Sequence, residues 1–351
     1  MPGVTTLRPQ IAVFSDETSA ATRTFARPED LPTYSSPSYD AFDTLLLGSA
    51  VPVLASAGAA VREFQLTDLL LETAAVDWKM FKLCVFLNAF VLTPSMQAAI
   101  KTKLQGTHSN CTVVYQYAPG VFDGVNQANA SRVSEVVGLP LARGPGGIDV
   151  ETTIVPGLPS SLGPLAGLSY GHRGCCGQWQ KSIDPWFHLD NSAAVAAGID
   201  VEVLGTLQHA LLSDLDAGLV RTRDPVSGHV TIFSAAPGLP VRLWRALAQS
   251  AGVHVFTTEL AKKCVAPNAE LWIEPLADSI ELTVGGMLMY HAASTCSHSA
   301  EDGRVARRVA LPFSARRVAN ETNGTVCENC AAFVTAAMAA GEVGLFHIAA
   351  Q

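Results

Sequence analysis

Residues 77–90, DWKMFKLCVFLNAF, decide the fold. Positions 82–87 are almost wholly apolar, as a strand covered on both faces has to be. The run ends in the polar Asn88, where open α/β sheets present groups to a ligand. A helix is predicted directly after it: Thr93 suits the N-cap and Pro94 the first helical position, and Met96, Ala99, Ile100 and Leu104 continue at helical spacing. A second apolar strand, 111–117, ends in Ala118-Pro119-Gly120. Strand, helix and strand in this order make the repeating unit of a parallel sheet.

Outward from this core the alternation continues. Strands are expected at 11–14 and 61–65, a mostly helical stretch at 39–60 and a helix at 129–137, giving a parallel sheet with helices on both faces. Residues from about 140 to 200 read as an irregular excursion, because Gly and Pro crowd its first part. A short strand is expected there at 152–155, and Trp179, Trp186 and Phe187 supply aromatic anchors for a subunit interface or a cover for the sheet. Order returns with a strand at 201–207 and a hairpin at 218–234 around the turn Asp224-Pro225-Val226-Ser227-Gly228. A helix at 241–250, closed by Gly252, and a strand at 253–256 complete this domain, 1–257. From 258 to 351 the period changes to two, and short strands at 271–273, 280–283, 286–291, 307–311, 315–318 and 344–348 predict a small β-sandwich.

Composition narrows the function. With 351 residues, 48% hydrophobic and 15% charged, the chain can bury two cores of ordinary size. A net charge of −8 and the lack of a Lys/Arg block argue against nucleic acid, whose phosphates need a basic face. Arg304, Arg307, Arg308, Arg316 and Arg317 read as a solvated face. The uncharged window 44–61 is long enough to span a membrane, but Pro52 and its many small residues place it as a packed helix instead. The first residues lack the charged start, apolar middle and cleavage site of a secretory leader, so a cytoplasmic location is expected.

The cysteines carry no complete motif. Cys84 and Cys111 fall in apolar strands and read as small hydrophobes, whereas Cys327-Glu-Asn-Cys330 has the spacing of half a zinc or redox site without a second half. His172, beside Arg173 and Cys175-Cys176, is the nearest approach to a metal site, and His291 reads as a half-exposed strand residue. No metal or cofactor is expected. Asn-x-Ser/Thr sequons stand at Asn110, Asn129, Asn320 and Asn323.

The order of segments resembles a particular family. The strand IAVFSDE, a strand leading to LTDLL, DWKMFKLCVFLNAF and a strand ending YAPG look like the amidotransferase-like, flavodoxin-like domain that follows the catalytic barrel in family 42 β-galactosidases. HVTIFSAAPGLPVRLWRALAQSAGVHVF is similar to that domain's closing strand and helix, and MLMYHAAS, RRVALP and AAGEVGLFHI to strands of the small carboxy-terminal β-domain. The resemblance implies a trimer-forming, non-catalytic portion whose glycosidic chemistry belongs to a preceding barrel. A (β/α)8 barrel takes roughly 250 residues and eight strand-helix repeats, whereas this chain has about five such repeats before its periodicity changes. Retaining glycosidases place two carboxyl groups about 5 Å apart, and Glu17, Glu72 and Glu135 offer no such pair. Nor does a cysteine stand at the strand-to-helix turn used by class I glutamine amidotransferases, where this chain has Tyr117-Ala118-Pro119-Gly120.

A ligand, if one binds, is expected where Ser15, Asp16, Glu17, Asn88, Phe90 and Tyr117 converge at the strand ends, a set suited to sugar hydroxyls. The same residues could instead cap helices and tie loops together. Three functions follow: an assembly portion of a β-galactosidase-like hydrolase, partnered by copies of itself or by an upstream barrel; a free-standing carbohydrate- or metabolite-binding protein; and a degenerate amidotransferase-like hydrolase.

Overall fold

A computed structural model describes residues 7–22, 46–47, 50–72, 76–106, 109, 111–122, 129–144, 150–158, 161–172, 186–208, 216–257, 279–282, 287–292, 304–311, 315–320, 326–330, 333–339 and 343–350. They belong to two compact units. One comprises Ala12–Ala50 and Glu63–Leu239, the other Met1–Ile11, Val51–Arg62 and Pro240–Gln351.

A nine-stranded sheet runs in the order β2-β1-β3-β4-β11-β10-β9-β6-β7. Its first part consists of β1 (Ile11–Ser15), β2 (Val61–Gln65), β3 (Leu83–Phe86), β4 (Thr112–Gln116) and β11 (Val230–Ser234). Counting β11 as the fifth strand, this is the 2-1-3-4-5 order of flavodoxin-like sheets. β3 pairs parallel with β4, and β4 with β11. All four residues of β3 and all five of β4 are buried. Phe14, Phe86 and Tyr115 form a row of stacked rings across β1, β3 and β4, with centroids 4.8 and 5.0 Å apart, a geometry that adds to simple burial.

The helix predicted after β3 is Pro94–Lys103, with Thr93 as N-cap accepting a bond from the Met96 amide. Ala130–Val137 ends at Gly138 in the left-handed region, φ 75°. Of the expected helix at 39–60, the described part is Ala50–Ser56.

Past its parallel part the sheet turns antiparallel, beginning with the hairpin expected at 218–234. Beyond β11 it continues through β10 (Asp216–Arg223), β9 (Val201–Gln208), β6 (Val150–Ile154) and β7 (Ser169–His172), every pair antiparallel. The cause is the tight turn at 224–228: a two-strand connection this short can join only antiparallel neighbours. Asp224 folds that turn by accepting bonds from the Val226 and Ser227 amides. The excursion therefore extends the sheet, and β6 falls at 150–154, close to its expected place.

In the other unit, β12 (Ser279–Leu282), β13 (Leu288–His291), β18 (Val343–Ala350), β15 (Ala315–Asn320) and β16 (Val326–Cys330) form a five-stranded sheet. β14 (Arg304–Ala310) pairs with β17 (Phe333–Ala339). Leu288, Tyr290, Val318, Phe346 and Ile348 from the first sheet share one apolar cluster with Val309, Val334, Ala336 and Met338 from the second. β16 and β17 were not expected. Residues 253–256 form an extended segment instead of the predicted strand, tied by Phe256 N–H to Gly58 O and by Ala310 N–H to Phe256 O. The predicted strand at 271–273 lies outside the described residues. Arg308 and Arg317 are exposed, as a solvated face requires, and the Arg308 guanidinium lies over the Phe333 ring. The helix Val241–Ser250 packs in this unit, where Arg245 donates to Thr257 Oγ1 at 2.6 Å and to Ala57 O at 3.2 Å.

The cysteines depart from their expected role as separate thiols. Cys84 is bonded to Cys111 and Cys327 to Cys330. A strand pattern reports that a thiol is buried but not that a second lies beside it, because pairing depends on register between strands.

Candidate functional site at the strand ends

The carboxyl ends of β1, β3 and β4 do come together, and side chains lace them. Asp16 follows β1 and is 5% exposed. Its carboxylate accepts from the Ser19 amide at 2.8 Å, from the Ser19 hydroxyl, and from the Thr18 amide at 3.3 Å, capping the short helix Glu17–Thr22. Asn88, 1% exposed after β3, spans to the same residue: its Oδ1 accepts from Asp16 N–H and its Nδ2 donates to Asp16 O, each at 2.8 Å. Ser19 Oγ in turn accepts from the Val91 amide at 2.8 Å. In a 2-1-3-4-5 sheet the ligand crevice lies between β1 and β3. Here a two-bond amide bridge crosses it.

The neighbouring loops are joined as closely. Gly120 N–H donates to Ala89 O at 2.7 Å, Phe122 N–H to Phe90 O at 2.9 Å, and Leu92 N–H to Phe122 O at 3.1 Å. Phe90 and Tyr117 meet edge to face with centroids 5.6 Å apart, both buried. Tyr117 adopts φ 66°, a left-handed conformation uncommon for a side chain of this size, and its amide donates to Ser234 O. Gly120, at φ 70°, leaves room that a Cβ would fill, since it would stand 2.6 Å from Val136 Cγ2.

Two contributors escaped the sequence reading. For Ser19 the only local signal was Asp16, an N-cap residue type ahead of a helix, because the Ser19 hydroxyl acts through the Val91 amide 72 residues away. Arg132 had no local signal: its guanidinium reaches Leu92 O at 2.7 Å and Gly120 O at 3.4 Å, contacts that depend on tertiary packing.

Among the expected site residues, Ser15 is half-buried and Glu17 is exposed beside this network. Glu72 and Glu135 are also exposed. Trp186 and Phe187, read as interface anchors, are both 0% exposed and so belong to the chain's own core. The Trp186 indole covers Gly144, where a Cβ would stand 2.0 Å from the ring, and Gly144 N–H donates to Trp186 O. Trp179 lies outside the described residues, as do Arg173, Cys175 and Cys176. Among the described residues no His, Cys, Asp and Glu group is arranged to hold a metal.

One hollow in this unit is lined by Gln97, Ile100, Lys101, Gln105, Tyr115 and Val136 and holds about 10 Å³. That is room for roughly one water, far below the ~300 Å³ of small-molecule pockets. Burial pushes the Tyr115 hydroxyl far above the usual phenol range, so it stays protonated.

Solved structures share this fold. A β-galactosidase from Bacillus circulans sp. alkalophilus superposes with a TM-score of 0.54 at 13% identity, covering 96% of this chain and 41% of its own. The cold-adapted β-galactosidase from Rahnella sp. R3 gives 0.56 at 12%, covering 97% and 41%. A catalytic mutant of Gan42B, a GH42 β-galactosidase from G. stearothermophilus, gives 0.52 at 9%, covering 98% and 41%. The likeness is one of fold. This chain spans about two-fifths of the length of these enzymes. No protein-family model and no curated protein sequence matches it. No described helix is long and apolar enough to cross a membrane.

Proposed function

We propose that the chain is an assembly and accessory portion of a β-galactosidase-like glycoside hydrolase, without glycosidic chemistry of its own and acting in carbohydrate metabolism. The observation that carries this reading is the bridge between Asn88 and Asp16 across the β1/β3 crevice. The groups best placed to meet a sugar are committed to backbone partners, and releasing them would leave buried polar atoms unpaired. The fold likeness supports the same reading: it takes in 96–97% of this chain while covering 41% of the β-galactosidases. The same commitments weigh against a free-standing carbohydrate-binding role through these residues. The absence of cysteine at 117–120 weighs against thiol chemistry of the amidotransferase kind.

Assembly would then be trimeric or through an attached barrel. The surface for it is not the one carrying Trp186 and Phe187, which are internal. The test is a galactoside hydrolysis assay on the purified chain together with light scattering at micromolar concentration. Oligomers without turnover are expected. Turnover that Glu17→Gln abolishes would overturn the reading, and so would saturable galactoside binding by a monomer that Asn88→Ala weakens.

A further inference from the structure

The disulfides were not foreseen, and they bear on where this protein is made, independently of its proposed function. Cys84 lies in β3 and Cys111 directly before β4. The parallel register pairs Cys84 with Val113, so Cys111, two residues earlier, falls on the same face of the sheet. The Cα atoms are 6.1 Å apart, within the range a disulfide spans. Both residues are almost wholly inaccessible, at 0% and 2%, in the most completely buried pair of strands described above. A bond so placed cannot be added by oxidants acting on the finished surface. It has to form while the chain folds. The other unit carries a bond of its own, Cys327–Cys330, and no described cysteine is left as a thiol.

Cytosolic pools keep thiols reduced, whereas structural disulfides accumulate in oxidising compartments. We propose that this chain folds in an oxidising compartment, where Cys84–Cys111 and Cys327–Cys330 form as permanent structural bonds. This replaces the cytoplasmic expectation. In each case two thiols lose two protons and two electrons as the S–S bond forms. The acceptor is a low-molecular-weight or protein disulfide, whose own S–S bond breaks to give two thiols. Asn129, exposed at the start of a helix within the sequon Asn129-Ala130-Ser131, offers an independent mark of passage through a glycosylating route.

The experiment traps thiols in the cells that make the protein, by acid quench and N-ethylmaleimide under denaturing conditions, and maps the peptides without reduction. The expected map joins Cys84 to Cys111 and Cys327 to Cys330, with no maleimide on any of the four. A glycan at Asn129 would support the same route. Folded protein carrying maleimide on Cys84 and Cys111 would overturn the proposal. As a second arm, the full wild-type chain is produced in a secretory host and in a reducing cytosol. At least a tenfold greater yield of folded protein is expected from the secretory host, and equal yields with all four thiols free in the cytosol would overturn it.

Discussion

In β3 and β4 every residue is buried, whereas β6, on the antiparallel side of the same sheet, buries Val150, Thr152 and Ile154 and leaves Glu151 and Thr153 half-exposed. The two halves share a ladder but differ in cover. Parallel strands in α/β folds carry helices on both faces and so read as continuous apolar runs, while antiparallel strands can present one face to water and alternate. The difference extends to the ends of the strands. Where both faces are closed, the polar groups that remain must find partners at the edges, which is where Asp16, Ser19 and Asn88 are tied together.

The largest loss is expected at the buried indole beside Gly144. Trp186→Ala should cost about 3–5 kcal/mol, the range for emptying a large buried aromatic site, read as a lower urea midpoint with an unchanged slope. A change below about 0.5 kcal/mol, the usual scale for surface positions, would mean that Trp186 is not core. In the parallel half, replacing Cys84 and Cys111 together by alanine removes a bond closing a loop of sequence separation 27. Chain entropy puts the loss at about 3–4 kcal/mol, measured against the wild-type chain under non-reducing conditions. An equal loss on adding reductant to unfolded and refolded wild-type protein would assign the effect to the bond.

The hairpin that joins the two halves should reveal itself through acid. His229, buried at the foot of β11, has neither ring nitrogen hydrogen-bonded among the described residues. Burial lowers its pKa to about 4 against a partial opposing pull from Asp224. The folded value lies below the unfolded one, so between pH 6.5 and 4 the unfolded chain binds the extra proton. Stability is therefore full above about pH 6.5 and falls as the pH drops toward 4, by no more than about 3 kcal/mol. His229→Gln should flatten that part of a thermal-melting profile, and a profile identical to wild type would show that His229 does not titrate there.

Smaller effects sharpen the contrast. Asn88→Ala leaves the Asp16 N–H and C=O without their partner, a loss of about 2 kcal/mol by chemical unfolding. Thr153→Ala, on the open face of β6, should stay within about 0.5 kcal/mol. Were Thr153→Ala to match Asn88→Ala in cost, the two halves would not differ in the way their burial indicates.

Much of this was legible in the chain. The run at 82–87 announced β3, the Thr93-Pro94 pair the start of the following helix, and the helix at 241–250 was predicted at the bounds it takes. The strand-end residues were also found, because turns after buried strands concentrate polar groups. β17 escaped although it alternates between exposed and buried positions, since Ala336, Ala337 and Ala339 give that alternation little hydrophobic contrast.

What sequence alone determined is therefore the local periodicity: which segments are strands, which are helices, and where a two-faced sheet gives way to period-two strands. These follow from side-chain spacing within a few turns of chain. Tertiary structure alone decided which groups remain available. Asn88 is a candidate ligand contact until Asp16, separated from it by 72 residues, takes both ends of its amide. Cys84 is a small hydrophobe until the register of β3 on β4 brings Cys111 to the same face. Trp186 is an anchor for a partner until Gly144 makes room for its ring inside the chain. In each case the deciding partner is distant in sequence, and a hydrogen bond, a disulfide or a packed ring depends on proximity that no local pattern encodes.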